Sequence, residues 1–198
     1  MSTSKMRYEG RAVYDGPWLL DLAQARSLDA VLGGIQIALQ ARRTGHVKEE
    51  VRVAEEKAAR FPALGLKVPT HEECEETTAQ VAKLWKVSFS EGVVAEFASI
   101  DDAASSPELT GRLPVAFKAN VAYETTQVSV ELTHDVLWVY SWPAEDTIVQ
   151  QSLQQLRAWA EINQSPTWLR LWSSGLLSAV AILLAVLLAL GTLVTDVV

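Results

Sequence analysis

The longest apolar stretch of the chain covers residues 173–195, near the C-terminus. It contains no charged residue, and most of its side chains are aliphatic. About 20 apolar residues, at about 1.5 Å per residue, cross the hydrocarbon core of a bilayer. A helix of a small soluble domain normally keeps a polar face, and this stretch has none. The pattern therefore predicts one C-terminal transmembrane helix, with the preceding residues held at a membrane surface.

A short linker, residues 163–172, leads into this predicted span. Trp168, Arg170 and Trp172 match the aromatic and basic residues that concentrate at the headgroup level of a membrane. Basic residues before the span and Asp196 after it favour a cytoplasmic N-terminal domain. The layout resembles that of tail-anchored membrane proteins, which form a topological class rather than a fold family. This resemblance implies that the chain is inserted after its translation is complete.

Small side chains recur along one side of the predicted span. Their spacing of three or four residues places them on one stripe of a helix, formed by Ser174, Ser178, Ala181, Ala185, Ala189 and Thr192. Small residues allow helices to approach closely in lipid. One interpretation is self-association, or pairing with another membrane protein, through this stripe. The other is that alanine is common in membrane helices.

The first clear helical pattern occupies residues 27–43. Apolar residues fall on one stripe at helical spacing, namely Leu28, Val31, Leu32, Ile35 and Leu39. Arg42 and Arg43 suit a last turn, and Gly45 suits the end of the helix. An interior glycine costs about 1 kcal/mol relative to alanine. We therefore interpret the pair Gly33–Gly34 as a place where the helix packs closely against a sheet.

Residues 46–85 carry a narrower pattern that predicts a charged helical hairpin inserted into the domain. In both arms, apolar residues recur every three or four positions, and Lys, Glu and Arg fill most of the remainder. Thr70 and Glu73 form the pattern of a capping box at the start of the second arm, which we expect to reach about Leu84. Such narrow stripes are typical of helices that pair with each other.

From residue 86 the pattern changes to the two-residue period of β-strands. The residues alternate in an N-terminal segment, in a hairpin and in a meander, at 6–14, 86–90, 93–97, 115–123, 127–132 and 136–140. The strand 136–140 is apolar on both faces, which predicts a place at the sheet centre or between two covering elements. With a last helix at 143–162, the prediction is an α+β domain over residues 1–162. Its antiparallel sheet has five or six strands, and the helices 27–43 and 143–162 cover one face.

The composition restricts the classes of partner. The formal net charge is -7 and the sequence pI is about 5.0. This acidity argues against nucleic acid, whose binding depends on neutralised phosphates, and against peripheral binding to anionic lipid. The single cysteine excludes an internal disulfide. The polar first ten residues do not resemble a signal peptide.

No motif of catalysis, cofactor binding or metal binding stands out. His71 and Cys74 are three residues apart on a predicted helix, but zinc takes about four ligands. The acidic run around them is better explained as a solvated helix N-terminus. His134–Asp135 could orient a catalytic base, yet the chain has no nucleophile elbow and no glycine-rich phosphate loop. We therefore predict no catalytic, cofactor or metal residue.

Three hypotheses of function remain. The first is a membrane-anchored, non-enzymatic scaffold whose charged hairpin or exposed sheet face holds a cytosolic protein at the bilayer. The second is a membrane effector that senses a signal, oligomerises through the stripe of its membrane helix and perturbs the bilayer. The third is an enzyme with an unrecognised site near Glu72, Glu73 or His134. The partners expected are the bilayer and either another protein or a second copy of the chain.

Overall fold

The computed structural model describes residues 10–15, 18, 22–107, 112 and 114–164. A 3-10 turn at Pro62–Leu64 accompanies the regular elements. In chain order these are β1 (Gly10–Asp15), α1 (Leu22–Arg60), α2 (His71–Thr77), β2 (Ala82–Phe89), β3 (Val94–Phe97), α3 (Ile100–Ser105), β4 (Pro114–Tyr123), β5 (Thr126–Thr133), β6 (Val136–Trp142) and α4 (Thr147–Asn163).

The strands form one antiparallel sheet of six strands in the order β1-β6-β5-β4-β2-β3. The register of the meander brings apolar residues of one face into opposed pairs, such as Val121 with Val128 and Val130 with Val139. Cross-strand pairs of this kind stabilise a sheet and set its register. The predicted α+β class and antiparallel sheet are confirmed, and the sheet has six strands in the part of the chain that the structure describes.

The core lies between one face of the sheet and the helices α1 and α4. Its largest fully buried side chains include Trp85, Leu32, Leu39, Leu137 and Leu156. The opposite face, here called the open face, has no covering element among the described residues. The prediction that β6 lies at the sheet centre is wrong, and within the described residues helices cover only one of its faces. This strand lies next to the edge strand β1, with only alternate residues buried in the core.

The first helix runs without a break from Leu22 to Arg60, so the predicted end at Gly45 is wrong. The buried stripe continues past the predicted boundary through Leu39, Arg43 and Val47. The packing of these side chains outweighs the cost of one glycine, which is about 1 kcal/mol. The first arm of the predicted hairpin is therefore the second half of α1.

The second arm is also shorter than predicted. Its capping box is present, because the Glu73 N–H donates to Thr70 Oγ1 at 3.2 Å and the Thr70 N–H donates to Glu73 Oε2 at 2.9 Å. However, α2 ends at Thr77, and the last three residues that we assigned to the helix, 82–84, belong to β2. The reason is that the same apolar residues also alternate as a strand, which pairs with β3 on one side and β4 on the other.

The interpretation of Gly33 and Gly34 as close-packing residues is wrong, and this leads to a prediction. Among the described residues, a Cβ atom placed on either glycine meets no heavy atom within 4 Å apart from the adjacent backbone of its own helix. We expect Gly34→Ala to raise the free energy of unfolding by about 0.5–1 kcal/mol, because alanine loses less backbone entropy in a helix. Urea unfolding of the detergent-solubilised full chain measures this. Gly10→Ala is the contrasting control, because its Cβ would lie 2.9 Å from Leu153 Cδ1 and should destabilise.

The last helix, α4, begins later than predicted. Its N-cap is Asp146, whose carboxylate accepts hydrogen bonds from the N–H groups of Ile148 and Val149. After the helix, the side chain of Gln164 donates to the backbone oxygen of Asp15 at 3.1 Å, so the chain leaves the described region beside the end of β1. In that region no helix is both long and apolar enough to cross a membrane. The predicted span 173–195 lies outside the described residues.

Candidate interaction surfaces

The C-terminal part of α1 extends beyond the part of the helix that is buried. Val47 is its last buried residue. Residues 48–60 therefore add roughly 20 Å of helix, at about 1.5 Å per residue, that the core does not cover. A 3-10 turn follows, and Gly65 ends it with a φ of 54°, a backbone conformation that glycine adopts without strain. This turn sends the chain back along α1 towards α2.

A buried arginine ties α2 to α1. Arg43 is only 5% exposed, and its guanidinium donates to the backbone oxygens of Ala79 at 3.0 Å and Glu75 at 2.6 Å. These carbonyls lie at and just beyond the C-terminal end of α2, where the last carbonyls of a helix have no partner within it. The sequence predicts Arg43 in the last turn of a helix. Arg43 lies four residues from both Leu39 and Val47, on the same side of the helix, and this spacing is the signal that could have indicated its burial.

A groove of about 450 Å³ lies between the extended part of α1 and the returning chain. The helix contributes His46, Glu49, Glu50, Val53, Ala54 and Lys57, and the returning chain contributes Pro69. We keep the name hairpin for residues 46–77, which comprise the C-terminal part of α1, the 3-10 turn and α2. Three apolar side chains are exposed near its tip at the 3-10 turn, namely Phe61, Leu64 and Leu66. The groove therefore combines an apolar floor with a charged rim, next to apolar side chains that face solvent.

The charge of this region is acidic. Residues 46–77 contain five Lys and Arg against eight Glu, a net charge of −3. Some of the acidic groups are paired within the hairpin. Arg52 binds Glu49 and Glu56, while Lys67 lies 2.6 Å from Glu73 and holds the pKa of that carboxyl below its usual value. Glu50, on the groove, has no ion-pair partner within 4 Å in the described part of the chain.

The structure does not bring His71 and Cys74 together as ligands. The His71 side chain is half exposed, and its Nε2 lies 3.5 Å from Glu75 Oε1. Cys74 is buried, and burial together with the nearby Glu50 and Glu73 raises the pKa of its thiol. Over the described ranges, no three or more His, Cys, Asp or Glu side chains are placed to hold a metal ion.

The other candidate catalytic groups lie at the surface. His134 Nδ1 is 2.9 Å from Asp135 Oδ1, and both side chains are exposed in the turn between β5 and β6. Glu73 serves the capping box, and Glu72 is exposed in the first turn of the same helix. None of these four residues lines either of the two cavities described in this section.

A second surface occupies the open face of the sheet at β1 and β6. We call Arg11, Val13, Trp138 and Tyr140 the aromatic patch. The two rings are parallel within 7° with centroids 6.1 Å apart, and the Arg11 guanidinium carbon lies 4.1 Å from the Trp138 ring centroid. Val13 is 45% exposed beside them. The sequence predicts an exposed sheet face and a strand 136–140 that is apolar on both sides, but it does not indicate that these aromatic residues belong to that face.

A small cavity of about 190 Å³ lies next to this patch, lined by Gln127, Ser129, Tyr140, Ser141 and Trp142. Ser129 Oγ and, on the neighbouring strand, Asn120 Oδ1 are buried without a hydrogen-bond partner among the described residues. Pockets for small molecules usually measure about 300–1,000 Å³. The size of this cavity therefore does not favour a small-molecule site.

The predicted membrane-interface residues and the predicted packing stripe both belong to the C-terminal segment of the chain. Trp168, Arg170 and Trp172 lie outside the described residues, as does the stripe Ser174, Ser178, Ala181, Ala185, Ala189 and Thr192. Comparisons of the chain with protein-family models, with curated proteins and with solved structures find no match.

Proposed function

We propose that this chain is a membrane-anchored, non-enzymatic interaction module that holds a cytosolic protein at the bilayer. The observation that supports the proposal is the extended end of α1, which has a groove on one side and exposed apolar residues at its tip. The anchor in this proposal is the apolar segment 173–195, with the described domain on the cytoplasmic side. The stripe of small residues in that segment offers a contact for a second copy.

The groove defines the chemistry of the partner. Val53 and Ala54 supply an apolar floor, and Glu50 lies beside them without an ion-pair partner in the described region. A peptide segment with one or two apolar side chains between lysines or arginines complements this arrangement. The basic side chains would meet the net negative charge of the hairpin, and salt should therefore weaken binding.

Site-specific photo-crosslinking of the full chain in its host cells tests this proposal. A benzoylphenylalanine at Leu64, which is 66% exposed at the tip, should yield a discrete adduct with another protein. The same probe at Ile37, which is 73% exposed in the first half of α1 and far from this tip, should not. Equal adducts from both positions, or none from position 64, would contradict the proposal.

A pair of charge reversals examines the role of the groove. Glu50→Lys, combined with the probe at Leu64, should reduce the adduct severalfold because it places a positive charge against a basic partner. Glu55→Lys makes the same change on the same exposed helix segment but outside the groove, and should leave the adduct intact. If both reversals reduce the adduct equally, the net charge of the helix segment, and not the groove, governs the contact.

A further inference from the structure

We infer that the aromatic patch is a membrane-contact surface that lies in the headgroup region of the bilayer, and that zwitterionic lipid is sufficient for this contact. This inference rests on the proposed anchoring through residues 173–195. It extends the proposed function because it concerns how the domain is oriented, and it involves a surface different from the hairpin groove.

The side chains of the patch are those that prefer the membrane interface. Trp and Tyr combine an apolar ring with a polar group and concentrate at the headgroup level. Arg11 brings a guanidinium that can bind phosphate oxygens in a bidentate manner. Val13, which stands opposite Trp138 in the strand pairing, adds exposed apolar area. The patch therefore presents apolar surface with one cation, which suits the boundary between headgroups and acyl chains.

The rest of the open face has a different character. On the strands farther from β1, Lys118 lies 3.4 Å from Glu131 and Lys86 lies 2.5 Å from Glu96. These ion pairs are exposed and hydrated, and nothing in their chemistry favours entry into a bilayer. The open face is thus divided into an aromatic part at β1 and β6 and an ion-paired part at β5, β4, β2 and β3.

The chain leaves the described region beside the aromatic part. Gln164 binds the backbone of Asp15, the last residue of β1, and Val13 lies two residues earlier on the same strand. Residues 165–172 then precede the predicted span. Eight extended residues, at about 3.3–3.6 Å each, span at most roughly 26–29 Å. This length exceeds the diameter of a helix layer, which is about 10–12 Å. The linker is therefore long enough to let the aromatic patch rest on the membrane and short enough to keep it near.

The charge balance determines the lipid. The whole chain carries a formal net charge of -7, and the patch contains one arginine. One cation contributes only a weak attraction to an anionic surface, and the net negative charge of the chain opposes that attraction. We therefore assign the contact to interfacial burial of the aromatic and aliphatic side chains, with Arg11 on a lipid phosphate, rather than to attraction by anionic lipid.

Depth-dependent fluorescence quenching in vesicles tests the inference. The full chain would carry an environment-sensitive fluorophore on Val13→Cys or, as control, on Ile37→Cys, each in a Cys74→Ala background. It would be reconstituted into phosphatidylcholine vesicles with or without a nitroxide-labelled lipid. Ile37 suits the control because it is two positions from both Leu39 and the buried Ile35, so it points away from the sheet.

We expect the fluorophore at position 13 to be blue-shifted and quenched severalfold more than that at position 37, with no further increase when phosphatidylserine is added. Arg11→Glu should reduce quenching at position 13. Lys86→Glu, the same reversal on the ion-paired part of the open face, should not. Both charges lie on exposed side chains, so neither variant is expected to prevent folding.

Three other outcomes would overturn the inference. Equal quenching at both positions means that the aromatic patch does not contact the membrane in preference to other surfaces. Absence of quenching in chains that float with the vesicles means that the domain does not contact the membrane. A chain that fails to float with vesicles refutes the anchoring premise together with the contact. The groove proposal is judged separately by the adduct from position 64, so the two failures can be distinguished.

Discussion

Replacing Trp85 with alanine is expected to lower the free energy of unfolding by about 3–5 kcal/mol, the usual cost of removing a fully buried aromatic side chain. Trp85 is completely buried at the centre of the core, between β2 and α1. Its Nε1 also donates to Asp29 of α1, which binds Lys83 Nζ at 2.9 Å. The substitution therefore removes apolar contacts and one donor to a partly buried carboxylate.

Two further variants separate these contributions in urea unfolding of the detergent-solubilised chain. Trp85→Phe keeps most of the apolar contacts and removes the donor, and should cost about 1–3 kcal/mol. Trp138→Ala makes the same change as Trp85→Ala on the open face of the same sheet, where the ring is only half-buried. It should cost clearly less than Trp85→Ala, and equal losses would show that the core is not on the face described.

The sheet was largely predictable because its signals are local. Alternation and turn residues locate the hairpin β2–β3 and the meander β4–β6, and the capping box at Thr70 is a contact between residues three apart. The helices were less predictable where the same residues fit two patterns. The segment from Val81 to Phe89 fits a helical stripe in its first half and a strand alternation in its second half, and its pairing with β3 and β4 decides between them.

The interaction surfaces were less predictable, because exposure depends on what packs against a residue. Strand 136–140 is apolar on both faces, and a sequence cannot show that the helices of the described region cover one face alone. Arg43 presents the opposite case, a charged residue that is expected at the exposed end of a helix but is buried. Its guanidinium binds backbone carbonyls of residues 75 and 79. Both errors arise from contacts between segments distant in the chain.

The second large effect is expected at Asp146, where a helix cap and an ion pair share one carboxylate. The carboxylate accepts from two N–H groups of α4 and forms a bidentate pair with Arg42 of α1, with Nη2 to Oδ1 at 2.7 Å. The side chains of Arg42 and Asp146 are 24% and 10% exposed. Asp146→Ala should lower the free energy of unfolding by about 2–4 kcal/mol. The loss of the helix cap costs about 1 kcal/mol, and the remainder arises because Arg42 loses its charged partner in a partly buried site.

Asp146→Asn isolates the ion pair, because asparagine also caps helices well. It should cost about 1 kcal/mol less than Asp146→Ala. Asp101→Asn, in the exposed pair with Arg26, should change stability by less than about 1 kcal/mol. Equal losses of stability at positions 146 and 101 would show that the partly buried ion pair contributes no more to the free energy of unfolding than the exposed pair.

The dependence on pH follows from the same contacts. The hydrogen bond from Arg42, with those from the N–H groups of Ile148 and Val149, holds the pKa of Asp146 below its ordinary value of 3.8. A lowered pKa in the folded state gives stability that is fully present above the unfolded pKa and is lost as the pH falls through the folded one. The native chain should therefore lose more stability than Asp146→Asn between about pH 5 and pH 2. Parallel pH profiles of the two proteins would instead place the acid sensitivity in other carboxylates.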